Sequence, residues 1–186
     1  MTVAIANAPN FEFKKEMTSR QATDLLRFIS FRSTEEDFAN FVQENQQFAP
    51  LLYRGIHYPM KNLQVGMTYR HYAPLSSWSI DYGIARSFNL DTGPLTTLVE
   101  EVFKEMGGDI KSSESHRKYW EKAVNQFVEV VFEVKNQSGF SVNDFIDHPI
   151  YSREKEFILH GGEWTIVDVV ENFDAQGRRF YLAKLA

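Results

Sequence analysis

The chain has 186 residues, enough for one ordinary domain with a buried core and too few for two full ones. Hydrophobic residues make up 43% and charged residues 24%, globular proportions that exclude disorder and fibrous repeats. With no cysteine, disulfides, thiolate zinc sites and a cysteine nucleophile are ruled out, and a formal net charge of -5 argues against tight non-specific hold on duplex nucleic acid.

Taken in chain order, the first dozen residues read as a loose arm or edge strand. Met1 to Pro9 carries no basic leader or long apolar run, and no stretch of about 18 uninterrupted apolar residues follows, so a soluble, cytoplasmic protein is expected. A helix is expected over Ser19 to Ile29, with Ala22, Leu25, Leu26 and Ile29 at helical spacing. Ser33 and Glu36 have the spacing of a capping box that opens a second helix from Thr34 to Gln46, with Phe38, Phe41 and Val42 on its apolar face. This helical preface ends near Pro50. Leu51 to Ile56 reads as a buried strand, and Asn62 to Val65 as a short segment before the turn at Gly66.

After Ser79 the spacing of Ile80, Ile84, Ala85 and Phe88 turns helical. Another helix is expected from Pro94 to Met106, closed by Gly107-Gly108, and the polar stretch Lys111 to Glu121 reads as helix or loop. Phe127 to Val134 is the clearest strand. Glu156 to His160, Trp164 to Val170 and Arg179 to Leu185 supply three more, separated by Gly161-Gly162 and by a turn at Asp174 to Gly177. Helices come early and strands late, which predicts an α+β domain rather than an alternating parallel fold. The 16 Phe, 8 Tyr and 3 Trp read first as core, with a surface for stacking bases or rings as the alternative.

Three short segments carry chemistry. Arg54, in Leu52-Tyr53-Arg54-Gly55, lies within an apolar strand, where a guanidinium is costly unless an anion meets it. A structural salt bridge would serve. So would a bound pyrophosphate, whose geometry the planar fork matches bidentately, with Gly55 permitting close approach to the backbone. In Leu75-Ser76-Ser77-Trp78-Ser79 small hydroxyls end a strand, and Ser79 could simply cap the helix that follows. In Glu154-Lys155-Glu156, residues two apart on a strand would share a face about 6.6 Å apart, with Lys155 pointing away. Such a pair is often a solvated strand face. Here Phe157-Ile158-Leu159 follows and sets it at the mouth of a core strand, where paired carboxylates raise at least one pKa.

The ordered arginine, serine and Glu-x-Glu resemble the Arg-Ser-Glu branch of the NAD-dependent ADP-ribosyltransferases, and within it the small Mod enzymes of T-even bacteriophages, over roughly residues 50 to 170. The resemblance implies a core of two packed, mainly antiparallel sheets. It also implies one catalytic domain over 1-186, with a helical preface over 1-49 and the core over 50-186. By that resemblance Arg54 and Gly55 hold NAD, and Ser77 orients the glutamate and contacts the nicotinamide ribose, with Ser76 as the alternative register. Ser79 completes the serine motif, in which Trp78 stands where the family has threonine. Glu156 stabilises the oxocarbenium-like state, Glu154 receives the nucleophile, and Tyr151, expected in a loop from His148 to Arg153, helps to receive the protein substrate.

A Glu-x-Glu pair resembles the arginine-specific members. The expected activity is therefore transfer of ADP-ribose from NAD to a target protein's arginine with release of nicotinamide. The alternatives are NAD hydrolysis, transfer to or of RNA including NAD-capped RNA, and an idle binding module. Glycine-rich dinucleotide or phosphate loops, His-Glu-x-x-His and a serine-hydrolase elbow do not occur, and the five histidines lack ligand spacing, so no metal is expected.

Overall fold

The computed structural model describes residues 12–32, 35–71, 73–88, 99–100, 102–104, 113–149 and 151–186. Its architecture is α+β, with antiparallel strand pairing wherever the register is defined. The chain divides into two compact units that interleave along the sequence. The first comprises Met1–Tyr53, Arg70–Ile84 and Val134–Trp164, and the second Arg54–Tyr69, Ala85–Glu133 and Thr165–Ala186.

In the first unit, helix α1 (Ser19–Phe31) begins at a capping box that sequence reading passed over. The Thr18 hydroxyl accepts from the Gln21 N–H, and the Gln21 side chain accepts from the Thr18 N–H. The box expected at Ser33 and Glu36 is not the one that opens α2 (Glu36–Glu44): its N-cap is Glu35, which makes no side-chain cap, and Ser33 and Thr34 lie outside the described residues. Negative charge from Glu36 and Asp37 in the first turn suits the positive end of the helix dipole instead.

Helix α2 buries the face that its spacing predicted; in α1 Leu25 and Ile29 are buried as expected, but Phe28 takes the core place of Ala22 and Leu26, which stay half-buried. Leu25, Phe28 and Ile29 of α1 and Phe38, Phe41 and Val42 of α2 form one cluster with Leu75, Phe140, Val142, Phe145, Ile146 and Ile158. The aromatic excess goes here: Phe140 stacks on Phe145 with centroids 4.4 Å apart, and Phe41 meets Phe140 and Phe145 at 5.5 Å.

Beneath them, β4 (Leu75–Ser79) lies between the first part of β2 (Gln47–Pro59) and β7 (Glu156–His160), and β7 also pairs with β5 (Phe127–Ser141). The register runs Tyr53↔Ser79 from β2 to β4, then Ser79↔Glu156 and Ser77↔Ile158 from β4 to β7. β1 (Glu12–Phe13) pairs with β6 (Ile146–Asp147) in a separate small ribbon. β2 and β5 outrun the strands expected at Leu51 to Ile56 and Phe127 to Val134. The Arg54 region of β2 is half-buried rather than buried.

Gly161 lets this unit close on itself, since a Cβ there would stand 2.7 Å from the Ala73 carbonyl oxygen. The neighbouring backbone is fixed by hydrogen bonds from the Gly161 N–H to Pro74 and from the His71 N–H to Gly162.

In the second unit, β8 (Glu163–Phe173) and β9 (Arg179–Leu185) form a hairpin closed by the expected turn, with Gly177 at φ 76 and the Asp174 carboxylate accepting from the Gln176 and Arg178 N–H groups. β9 lies next to β5, and β8 next to β3 (Thr68–Arg70). Tyr58, Tyr69 and Phe132 pack together, with Tyr69 stacked on Phe132 at 4.2 Å.

Helix α3 (Tyr82–Phe88) leads into this unit. Its N-cap is Asp81, whose carboxylate accepts from the Ile84 N–H, and not Ser79. Arg86 of α3 reaches Glu129 at 2.8 Å and Asp174 at 3.5 Å and lies over the Phe180 ring.

The helix expected from Pro94 to Met106 falls largely outside the described residues, although 99–100 and 102–104 are helical. Val99 and Phe103 pack on Ala123 of α4 (Ser113–Val124), the helix into which most of the polar stretch folds. Among the described residues no helix is long and apolar enough to cross a membrane.

Candidate functional site

Strand alternation sorts the serine segment into two faces. Ser77 and Ser79 share one face of β4, while Ser76 and Trp78 point to the other. Trp78 is buried, lies edge-on to Trp164 at 5.5 Å, and donates its indole N–H to the Ser76 hydroxyl, which in turn reaches the Leu159 carbonyl oxygen at 3.4 Å. The position that departs from the resemblance is thus a core anchor of the opposite face. That leaves the register of Ser77 and Ser79, which face the other way, unchanged.

On the first face, Glu156 opens β7 and is 2% exposed. Its Oε1 accepts two hydrogen bonds, from the Ser77 hydroxyl and from Arg32 Nη1, the latter at 2.5 Å. Its Oε2 is buried and has no hydrogen-bond partner among the described residues. A carboxylate taken out of water on these terms is costly unless charge and hydrogen bonds compensate, and here both go to a single oxygen. The other oxygen is left as an acceptor on a group whose position is already fixed.

Arg32 escaped sequence reading. It ends α1 and lies 124 positions from Glu156 along the chain, so no local pattern could pair them. The one usable signal was indirect: a buried glutamate must find a cation somewhere.

Glu154 and Glu156 do not lie two apart on one strand, as the spacing predicted. Residues Tyr151–Glu154 form one helical turn, α5, where a loop was expected, and Lys155 takes a left-handed backbone with φ 48 before β7 begins. The segment is held from several sides. Ser79 donates its hydroxyl to the Glu154 carbonyl, Asn143 donates to the Ser152 carbonyl, and Lys155 Nζ pairs with Asp81 at 2.9 Å.

The two carboxyl groups nevertheless feel each other. Burial pushes the Glu154 carboxyl above the usual glutamate range, the charge of Glu156 adds to that, and Arg32 pulls it back in part. Tyr151 opens α5 half-buried, packed on the aromatic cluster, with its ring 4.9 Å from His148.

Arg54 and Gly55 follow Tyr53 directly along β2 and belong to the second unit. There Arg54 is near enough to Tyr69 for its charge to oppose the rise that burial imposes on the Tyr69 hydroxyl. The first unit therefore brings together Ser77, Ser79, Glu154 and Glu156 of the residues singled out from sequence, and adds Arg32.

No family model matches the sequence, and no curated protein matches it. In structure the chain is similar to the crystal structure of ADP-ribosyltransferase HopU1 of Pseudomonas syringae pv. Tomato DC3000, with a TM-score of 0.40 and 13% sequence identity. The likeness covers 80% of this chain and 48% of that one, so the chain spans about half the length of that protein.

Proposed function

We propose that this protein is a mono-ADP-ribosyltransferase that takes NAD as co-substrate and modifies arginine side chains of a target protein, releasing nicotinamide. The observation that carries the reading is Glu156, a buried carboxylate held through Oε1 by Ser77 and Arg32, with Oε2 a buried acceptor that has no donor among the described residues. The ordered sequence motifs support it independently.

The chemistry asks for such a group. NAD supplies a glycosidic bond to a leaving group that is already cationic, so no general acid is required and the barrier is positive charge growing on the ribose. A carboxylate stabilises that kind of state in glycoside hydrolysis. Glu156 Oε2 would accept from the ribose 2′-hydroxyl, and the negative charge beside it would lower the energy of the oxocarbenium-like state. An acceptor arginine nitrogen then attacks C1 of that ribose, the carbon–nitrogen bond to nicotinamide breaks with its electron pair leaving on nicotinamide, and the guanidinium proton passes to Glu154. A carboxylate whose pKa is raised by burial is a better proton acceptor than a free glutamate. Arg54 and Gly55 are assigned to the NAD phosphates, and Tyr151 to the incoming protein, on the resemblance.

The test is incubation of labelled NAD with a cell lysate, comparing the native protein with Glu156→Ala and Glu154→Ala. Glu156→Ala is expected to lose both transfer and NAD cleavage. Glu154→Ala should lose transfer to arginine and keep part of the hydrolysis. Unchanged activity in both variants would refute the assignment, and NAD cleavage with no labelled protein would make this a hydrolase. Mapping the mass increment to arginine establishes the linkage.

A further inference from the structure

We propose that Arg32 is a positioning residue for this reaction, fixing Glu156 through Oε1 so that Oε2 stays available to the substrate. The inference rests on the reading of Glu156 as the carboxylate at the reacting ribose.

The arrangement of bonds is the first argument. A carboxylate with two donors could share them between its oxygens, yet Arg32 Nη1 and the Ser77 hydroxyl converge on Oε1. Together they fix the plane and tilt of the group, which one donor alone would leave free to rotate. The side chain of Arg32 is 45% exposed while that of Glu156 is 2% exposed, so the guanidinium covers the carboxylate from the solvent side.

Backbone geometry is the second. Arg32 is the C-cap of α1 at φ 54 and ψ 24, with its N–H bonded to the Phe28 carbonyl at 2.8 Å. Glycine is the usual occupant of a left-handed position at a helix end because a side chain is disfavoured there. An arginine in that place turns the chain so that its guanidinium leaves the helix end toward β7. The guanidinium carbon lies 5.4 Å from the Phe28 ring, and Phe28 is anchored in the aromatic cluster.

A third observation comes from the neighbour. The same guanidinium lowers the Glu154 carboxyl against the rise caused by burial and by Glu156, so Arg32 acts on both acidic groups. The helical preface thus has a task beyond covering the sheet, since its first helix delivers the cation that sets the two carboxylates.

Arg32→Gly is the test, because glycine keeps the left-handed cap and removes only the side chain. Release of nicotinamide from NAD is followed at steady state for the native protein, Arg32→Gly, Arg32→Lys and Glu156→Ala. Arg32→Gly should lower kcat about ten- to hundred-fold, the scale of a displaced catalytic group, with KM for NAD within about threefold of native. Arg32→Lys should recover part of the loss.

An unchanged or raised kcat in Arg32→Gly would overturn the proposal and make the guanidinium an obstruction. A rise in KM alone would make it a binding contact. If Glu156→Ala still cleaves NAD, the functional reading itself fails. If Glu156→Ala is inactive and Arg32→Gly behaves as native, only the role of Arg32 falls. A substrate-free readout comes from urea unfolding of Arg32→Gly, Glu156→Gln and the double variant: coupled losses are expected, and strict additivity would count against the pair.

Discussion

Ser77→Ala removes one of the two donors on Glu156 Oε1, the hydroxyl being the only polar atom of that side chain. A hydrogen bond to a charged group contributes about 1.5–3 kcal/mol, and the full amount applies when the acceptor left behind is buried. Glu156 is 2% exposed, so water cannot replace the lost donor without opening the end of β7. The expected loss of unfolding free energy in urea is therefore about 1.5–3 kcal/mol. If the same bond orients Glu156 in the transition state, NAD cleavage falls roughly ten- to hundred-fold, since each 1.36 kcal/mol is a factor of ten. Ser77→Thr keeps a hydroxyl on a strand position that tolerates β-branching, and should retain most of both quantities.

Ser76→Ala is the control for register. Its hydroxyl serves Trp78 and the Leu159 carbonyl on the other face, so its loss should lower stability and leave kcat near native. Ser77→Ala with native stability and kcat would refute the inference that this serine holds Glu156. The reverse pattern, with kcat following Ser76 alone, would move the active serine by one residue.

Trp78→Ala should cost about 3–5 kcal/mol, the range for truncating a large buried aromatic, and a thermal melt reads it directly. Trp164 loses its edge-on partner at the same time, so its fluorescence should shift toward that of an exposed indole. Gly161→Ala forces a methyl group to within 2.7 Å of the Ala73 carbonyl oxygen, where only backbone can give way, and should lower stability by about 1–3 kcal/mol in urea unfolding. Glu154 gives a pH prediction. Its folded carboxyl keeps its proton to a higher pH than in the unfolded chain, so the unfolded state binds fewer protons between the ordinary glutamate value and the raised one, and stability falls as pH rises through that window. On the proposed mechanism, the ratio of arginine transfer to NAD hydrolysis should fall on the acid side at a higher pH than an ordinary glutamate would dictate, and Glu154→Gln should remove that limb. A ratio that follows an ordinary glutamate would argue against Glu154 as the proton acceptor.

What the sequence revealed tracks what short-range physics controls. The apolar spacing of α2 is periodic and local, and it buries the Phe38, Phe41 and Val42 face that the spacing indicated, while β7 and β9 form where strands were expected. Ends were harder. Ser33 and Glu36 satisfied the capping-box spacing, but Thr18 and Gln21 form the box, since a pattern of four residues cannot state which tertiary contacts will fix the entering chain. The Glu154–Glu156 geometry was misjudged for a similar reason. Period-two reasoning assumes an unbroken strand, and the left-handed residue Lys155 breaks it, held in place by Asp81, some 74 positions away in sequence. Arg32 lay beyond any sequence argument because its partner is fixed only by the packing of α1 on the strands.

Backbone strain gathers at one carboxylate. Among the described residues other than glycine, Arg32, Asn136 and Lys155 have positive φ. Asn136 is of a type that tolerates the left-handed region, but arginine and lysine gain nothing locally from it. One of those two binds Glu156, and the other is the residue immediately before it. Lys155 is tied down by its ion pair with Asp81, the same carboxylate that caps α3, and its carbonyl accepts from the Ile80 N–H at 3.4 Å. Arg32 is tied down by its bond to the Phe28 carbonyl and by the aromatic cluster beneath α1. Strain of this kind persists only where surrounding structure over-determines the backbone, and it collects where a side chain must be aimed. Both anchors converge on the start of β7, one from the end of α1 and one from the residue immediately before Glu156, and between them they hold Glu156 with a buried acceptor to spare.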